Sequence, residues 1–184
     1  MQSSTACDAT MVRRPSSLFS LFCTAAASLA LLAPGAARAQ AGRDRLVGTW
    51  RLASFAIVTS DGQVVDRILG PHPTGVIMYD GARICVQLTR PDRPAFAAND
   101  ILAGTIDEKA RAYESFIAYC GTYSLNEAEG VVVHHLEWSL FPNWTGTDQR
   151  RFFAIEGDRL TLTTPPFQRS GQPVTAKLVW ERMR

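Results

Sequence analysis

The densest run of chemically capable side chains is Val132-Val133-His134-His135-Leu136-Glu137-Trp138-Ser139, followed after a short loop by Gln149, Arg150 and Arg151. An imidazole beside a carboxylate can move a proton, and a guanidinium can orient a ligand oxygen. On strands, alternate residues share a face. His135, Glu137 and Ser139 then point one way, and His134, Leu136, Trp138 and Leu140 the other. Gln149, Arg151 and Phe153 separate in the same way from Arg150, Phe152 and Ala154. A loop over 140–148 would set Glu137 opposite Arg151 and Ser139 opposite Gln149. Two orientations follow. Facing inward, His135, Glu137 and Arg151 make a polar cluster in an apolar cavity, the composition of a small-molecule site. Facing outward, they are a solvated stripe of weak ion pairs, and the apolar set fills the interior. Pattern alone leans to the second.

Other chemistries fit less well. His134 and His135 point oppositely on a strand, and His135 with Glu137 supplies two ligands where metal sites use three or four. We therefore assign no metal and no cofactor. There is no G-x-S-x-G nucleophile motif. Cys85 and Cys120 have no C-x-x-C spacing, and we expect them to lie near each other but unbonded.

The elements that must hold these residues begin after an address. Arg13-Arg14, an apolar stretch from Leu18 to Leu32, and Ala37-Arg38-Ala39 follow the order of a secretory signal peptide cleaved before Gln40. The apolar run is shorter than the roughly twenty residues of a membrane span. Arginine outnumbers lysine 17 to 2, which suggests a GC-rich bacterial genome. The expectation is a periplasmic or secreted protein, with residues 1–39 removed and one domain over 40–184. That domain carries 16 basic and 16 acidic side chains. Its neutrality argues against nucleic acid or an anionic membrane surface as partner. The oligomeric state is not legible.

Period-two alternation and turn signals predict strands over 46–58, 63–69, 74–79, 82–90, 119–125, 131–141, 148–155, 159–164 and 174–182. Asp80-Gly81 reads as a two-residue hairpin turn pairing Tyr79 with Ala82. It puts Ile77, Tyr79, Ile84, Val86 and Leu88 on one face. Thr105-Ile106-Asp107-Glu108 is a capping box. It opens a single helix, whose Ile106, Ala110, Tyr113 and Ile117 would pack on a core. Eight or nine antiparallel strands with one helix make an all-β sandwich or closed barrel.

Gly48-Thr49-Trp50 on the first strand resembles the G-x-W signature of the lipocalin superfamily. Several further segments extend the likeness: Gly70-Pro71-His72-Pro73-Thr74-Gly75, Arg90-Pro91-Asp92-Arg93, Tyr119-Cys120-Gly121-Thr122-Tyr123, Val133-His134-His135, Phe141-Pro142-Asn143-Trp144 and Gly146-Thr147-Asp148-Gln149. Together they resemble the bacterial and fungal lipocalin-like domain family, from about Leu46 to Arg182. The resemblance implies an antiparallel barrel with a central cavity. It also favours the inward orientation, because the family motif keeps His135, Glu137 and Arg151 and lets position 138 vary. Fungal members are associated with natural-product pathways, which implies isomerase or cyclase roles for those members.

The reading is an exported barrel that binds a small, largely apolar molecule. Its expected ligand contacts are Trp50, His135, Glu137, Ser139, Trp144, Gln149 and Arg151. The alternatives are a cofactor-free isomerase or cyclase using His135 and Glu137 as acid and base, or a packed structural barrel. Trp50 is expected inside, near the closed end, against the cation of Arg182.

Overall fold

The computed structural model describes residues 42–66 and 68–184. The expected leader and its cleavage site before Gln40 lie outside the described residues. Eight strands close into one antiparallel barrel: β1 (Gly48–Val58), β3 (Thr74–Tyr79), β4 (Arg83–Thr89), β5 (Phe116–Asn126), β6 (Val131–Ser139), β7 (Asp148–Glu156), β8 (Arg159–Thr163) and β10 (Gln172–Arg182). Each pairs with the next around the ring, and β10 returns to pair with β1. Closure removes the open edges that such a sheet would otherwise expose. Two three-residue strands are added outside the ring, β2 (Val64–Asp66) on β1 and β9 (Phe167–Arg169) on β10. β9 went unpredicted, and β2 is shorter than the strand expected over 63–69.

The alternation places the core as expected on β3 and β4. Ile77, Tyr79, Ile84, Val86 and Leu88 are all buried. Their register differs: Tyr79 faces Ile84, not Ala82. The cause is local, because the Asp80 carboxylate accepts from the backbone N–H groups of both Ala82 and Arg83. That Asx-type turn moves the reversal on by one residue: Asp80 N–H donates to Arg83 O at 3.2 Å, and Gly81-Ala82 form the tip in place of the expected Asp80-Gly81. The shift in pairing register is even, so no side chain changes face.

Helix α1 (Ile106–Glu114) has the expected capping box, with Thr105 Oγ1 accepting from Glu108 N and Glu108 accepting from Thr105 N. It does not pack on the core. None of its residues is buried, and Ile106 and Tyr113 are exposed. The fourth expected position, Ile117, belongs to β5.

One end of the barrel is sealed. A helical turn over residues 42–46 brings Leu46, fully buried, across the interior beside Trp50. The Trp50 Nε1–H donates to Leu46 O at 2.9 Å, and the Arg182 guanidinium carbon lies 3.9 Å from the indole centroid. Arg182 also donates to Val47 O at 2.8 Å and to Arg45 O. The expected Trp50–Arg182 pairing is thus present, directly in register across β1 and β10. Gly48 makes room for it. Its φ is +135°, and a Cβ there would come within 2.7 Å of Arg182 Nη1. Gly48→Ala should therefore cost about 1–3 kcal/mol from backbone strain and displacement of Arg182. Chemical denaturation measures this, and a neutral substitution would separate Gly48 from the Arg182 contact.

Cys85 and Cys120 face each other on β4 and β5 and form a disulfide, with Cα atoms 4.1 Å apart. The expectation of unbonded thiols is overturned. Direct cross-strand opposition brings the two cysteines together, and sequence spacing alone does not reveal it. Thiol titration of the denatured, unreduced residue 40–184 chain should find no free thiol; two would contradict the bond.

Candidate functional site

The interior away from the Trp50 seal is a cavity of about 550 Å³. Its walls are apolar and aromatic, among them Phe55, Ile77, Leu88, Tyr119, Leu162 and Trp180. The polar part of the lining is mainly the start of β7, Asp148 to Arg151, where alternation turns the Gln149 and Arg151 side chains inward. Trp144, in the 3-10 turn Pro142–Trp144, joins the wall and sets its ring edge-on to Tyr119 and Phe141, with centroids 6.0 and 5.6 Å apart.

The orientation of β6 is the reverse of the one favoured from the family resemblance. His134 and Leu136 point inward and are buried, as is Val132. His135 and Glu137 face out. The register explains this: Val132, not Glu137, lies opposite Arg151, and His134, not Ser139, lies opposite Gln149. A bulge completes the difference. Cys120 pairs with Trp138 but Gly121 pairs with Leu136, so Glu137 is the extra residue. Glu137 and Trp138 therefore both lie outside, and Trp138 is 61% exposed. Gly121 permits the close approach, since a Cβ there would sit 1.9 Å from His135 O.

The expected site residues thus do not come together in one place. Trp144, Gln149 and Arg151 line the cavity. Trp50 lies in the sealed end beneath it. Ser139 is spent on the backbone, its hydroxyl donating to Ala118 O and accepting from Phe141 N. Glu137 pairs with Arg83 at 2.7 Å on the outer surface, and Arg83 also covers the Trp138 ring. His135 Nδ1 meets Asp148 at 2.7 Å, and its Nε2 meets Ser124 Oγ at 2.9 Å. That chain has the connectivity of a nucleophile–base–acid relay, but Ser124 and His135 stand on the outer wall, outside the cavity lining. The acid–base pair of an isomerase or cyclase, His135 with Glu137, is not assembled inside the barrel.

What lies inside instead is a network that sequence reading missed. His134 is fully buried. Its Nε2 is 2.7 Å from Tyr79 Oη, and its Nδ1 is 3.2 Å from Tyr119 Oη. Burial, with Arg151 and then His135 adding to it, holds the imidazole well below its usual pKa. A neutral ring has one donor and one acceptor, so one tyrosine donates to it and the other accepts. Burial likewise pushes the Tyr79 phenol well above its usual value and raises Tyr119. All three groups are therefore neutral near pH 7. Tyr119 carries the network to the cavity wall, where Arg151 stands beside it. A usable signal existed for Tyr79, which shares the apolar face of Ile77. For His134, only the outward reading of β6 placed it inside.

A closed antiparallel barrel, sealed at one end and holding an apolar cavity with a polar wall, defines a ligand-binding barrel. The chain belongs to the lipocalin-like domain family, whose model matches residues 47–183. It is also 34% identical over 104 residues to the 4'-hydroxy-3'-methoxypropiophenone carrier protein of Aspergillus oryzae. That match covers 53% of this chain and 94% of the fungal protein.

Proposed function

We propose that the protein is an exported carrier that reversibly buries a small, largely apolar molecule in its barrel. The cavity is the observation that carries this reading. Its volume of about 550 Å³ falls in the range of small-molecule sites, and its few polar groups are concentrated on one wall. The name of the fungal relative, a carrier of an aryl ketone, supports a small aromatic cargo for this chain as well. Trp144, Gln149 and Arg151 would contact that cargo, with Tyr119 and Trp180 added from the cavity wall.

Export is supported by the leader pattern of residues 1–39 and by the Cys85–Cys120 disulfide, a bond favoured outside the reducing cytosol. The location would be periplasmic or secreted. Native mass spectrometry of the protein isolated from its own host's export fraction tests both parts. The expected species starts at Gln40 and carries a small-molecule adduct lost on activation. A chain retaining its leader would remove the export reading. A protein that is always bare and takes up no added aromatic would remove the carrier reading.

A further inference from the structure

Arg151 is 8% exposed, lines the cavity, and has no carboxylate within salt-bridge distance among the described residues. Its hydrogen bonds go to neutral acceptors, Arg150 O at 2.7 Å and Gln149 Oε1 at 3.4 Å. The charged groups nearby offer no compensation. Asp148 is held by His135, and Arg150 turns away to Glu129 at 3.0 Å. The inward neighbours of Arg151 are the neutral trio of Tyr119, His134 and Tyr79. A guanidinium presents five N–H donors and remains charged at any working pH. Buried charges in proteins are ordinarily paired, and here the space beside the charge is the ligand cavity itself.

We propose that the carried molecule brings the missing counter-charge: an apolar, ring-bearing body with one oxyanion, carboxylate or acidic phenolate, seated on Arg151 with Tyr119 beside it. This rests on the carrier reading and specifies its ligand. The aromatic lining of Tyr119, Trp144, Trp180 and Phe55 suits a flat ring. A charge-assisted bond to a guanidinium is stronger than its neutral counterpart, so the anion should be preferred over an isostere that differs only in charge.

The test measures binding of two matched pairs to the residue 40–184 protein by calorimetry. One pair is 2-naphthoate and 2-naphthamide. The other is 4-nitrophenol, at a mildly alkaline pH where it is ionised, and 4-nitroanisole. The ionised member of at least one pair should bind about ten-fold tighter or more, and the pair that shows this identifies the oxyanion as carboxylate or phenolate. Arg151→Met should bring that ratio to about one while leaving the neutral compound's affinity in place. Arg151→Lys, which keeps the charge and guards against a folding failure, should retain part of the preference. Arg51→Met, which removes an exposed charge from the outer wall, should leave the ratio unchanged. Equal binding of charged and neutral members by the wild type overturns the anion proposal and leaves the carrier reading standing. A ratio that survives Arg151→Met in folded protein also overturns it. Failure of all four compounds to bind counts against both.

Discussion

Trp50→Ala is expected to destabilise the barrel by about 3–5 kcal/mol, the range for truncating a large buried aromatic. The indole is fully buried in the sealed end and makes three separable interactions. It fills volume against the core cluster. Its Nε1–H ties β1 to the turn at Leu46. Its face supports the Arg182 cation at 3.9 Å, an interaction worth about 1–2 kcal/mol when desolvated. Removing the ring leaves Leu46 O without that donor and Arg182 without its platform. Trp50→Phe keeps an aromatic face and should lose clearly less. Urea unfolding followed by far-UV circular dichroism gives both values. A loss below about 1 kcal/mol for Trp50→Ala would show that the sealed end collapses around the gap or was never tightly packed.

That end of the barrel was legible because its determinants are local and typed. Gly48-Thr49-Trp50 announces a tryptophan beside a residue that tolerates positive φ, and Arg182 lies on the last strand to meet it. Strand alternation on β3 and β4 was equally plain. The misread side of the site depended on things that periodicity does not encode. The bulge at Gly121 inserts Glu137 and changes which residues of β6 share a face. The Asp80 side chain resets a hairpin through two hydrogen bonds. Alternation put His134 inside only in the outward reading of His135 and Glu137, and it did not reveal the partners from two other strands, Tyr79 and Tyr119, that make its burial tolerable. The helix failed in the opposite sense. Its apolar spacing invited packing, yet Ile106 and Tyr113 stand in solvent. Arg151 was singled out beside Glu137 as its counter-ion, and the structure leaves it at the cavity with no carboxylate partner among the described residues.

His134→Leu should cost about 2–6 kcal/mol, because it strands two buried hydroxyls at about 1–3 kcal/mol each. Tyr79 Oη and Tyr119 Oη both lose the ring nitrogen that now satisfies them. The same burial makes stability depend on pH with a definite sign. In the unfolded chain the imidazole titrates near 6.5, whereas in the folded barrel it stays neutral to well below that value. The unfolded state therefore binds the extra proton first. The stabilisation tied to the neutral ring is complete above 6.5 and is lost as pH falls from there through the folded-state pKa. The slope approaches about 1.4 kcal/mol per pH unit. His134→Gln keeps hydrogen-bonding capacity between the tyrosines but cannot titrate, so it separates the proton effect from the packing effect. Its stability relative to wild type should improve steadily as the buffer is moved from about pH 7 to about pH 5. Parallel stability curves for the two proteins across that interval would mean that His134 is protonated alike in the folded and unfolded states. The neutral Tyr79–His134–Tyr119 network beside Arg151 would then have to be abandoned.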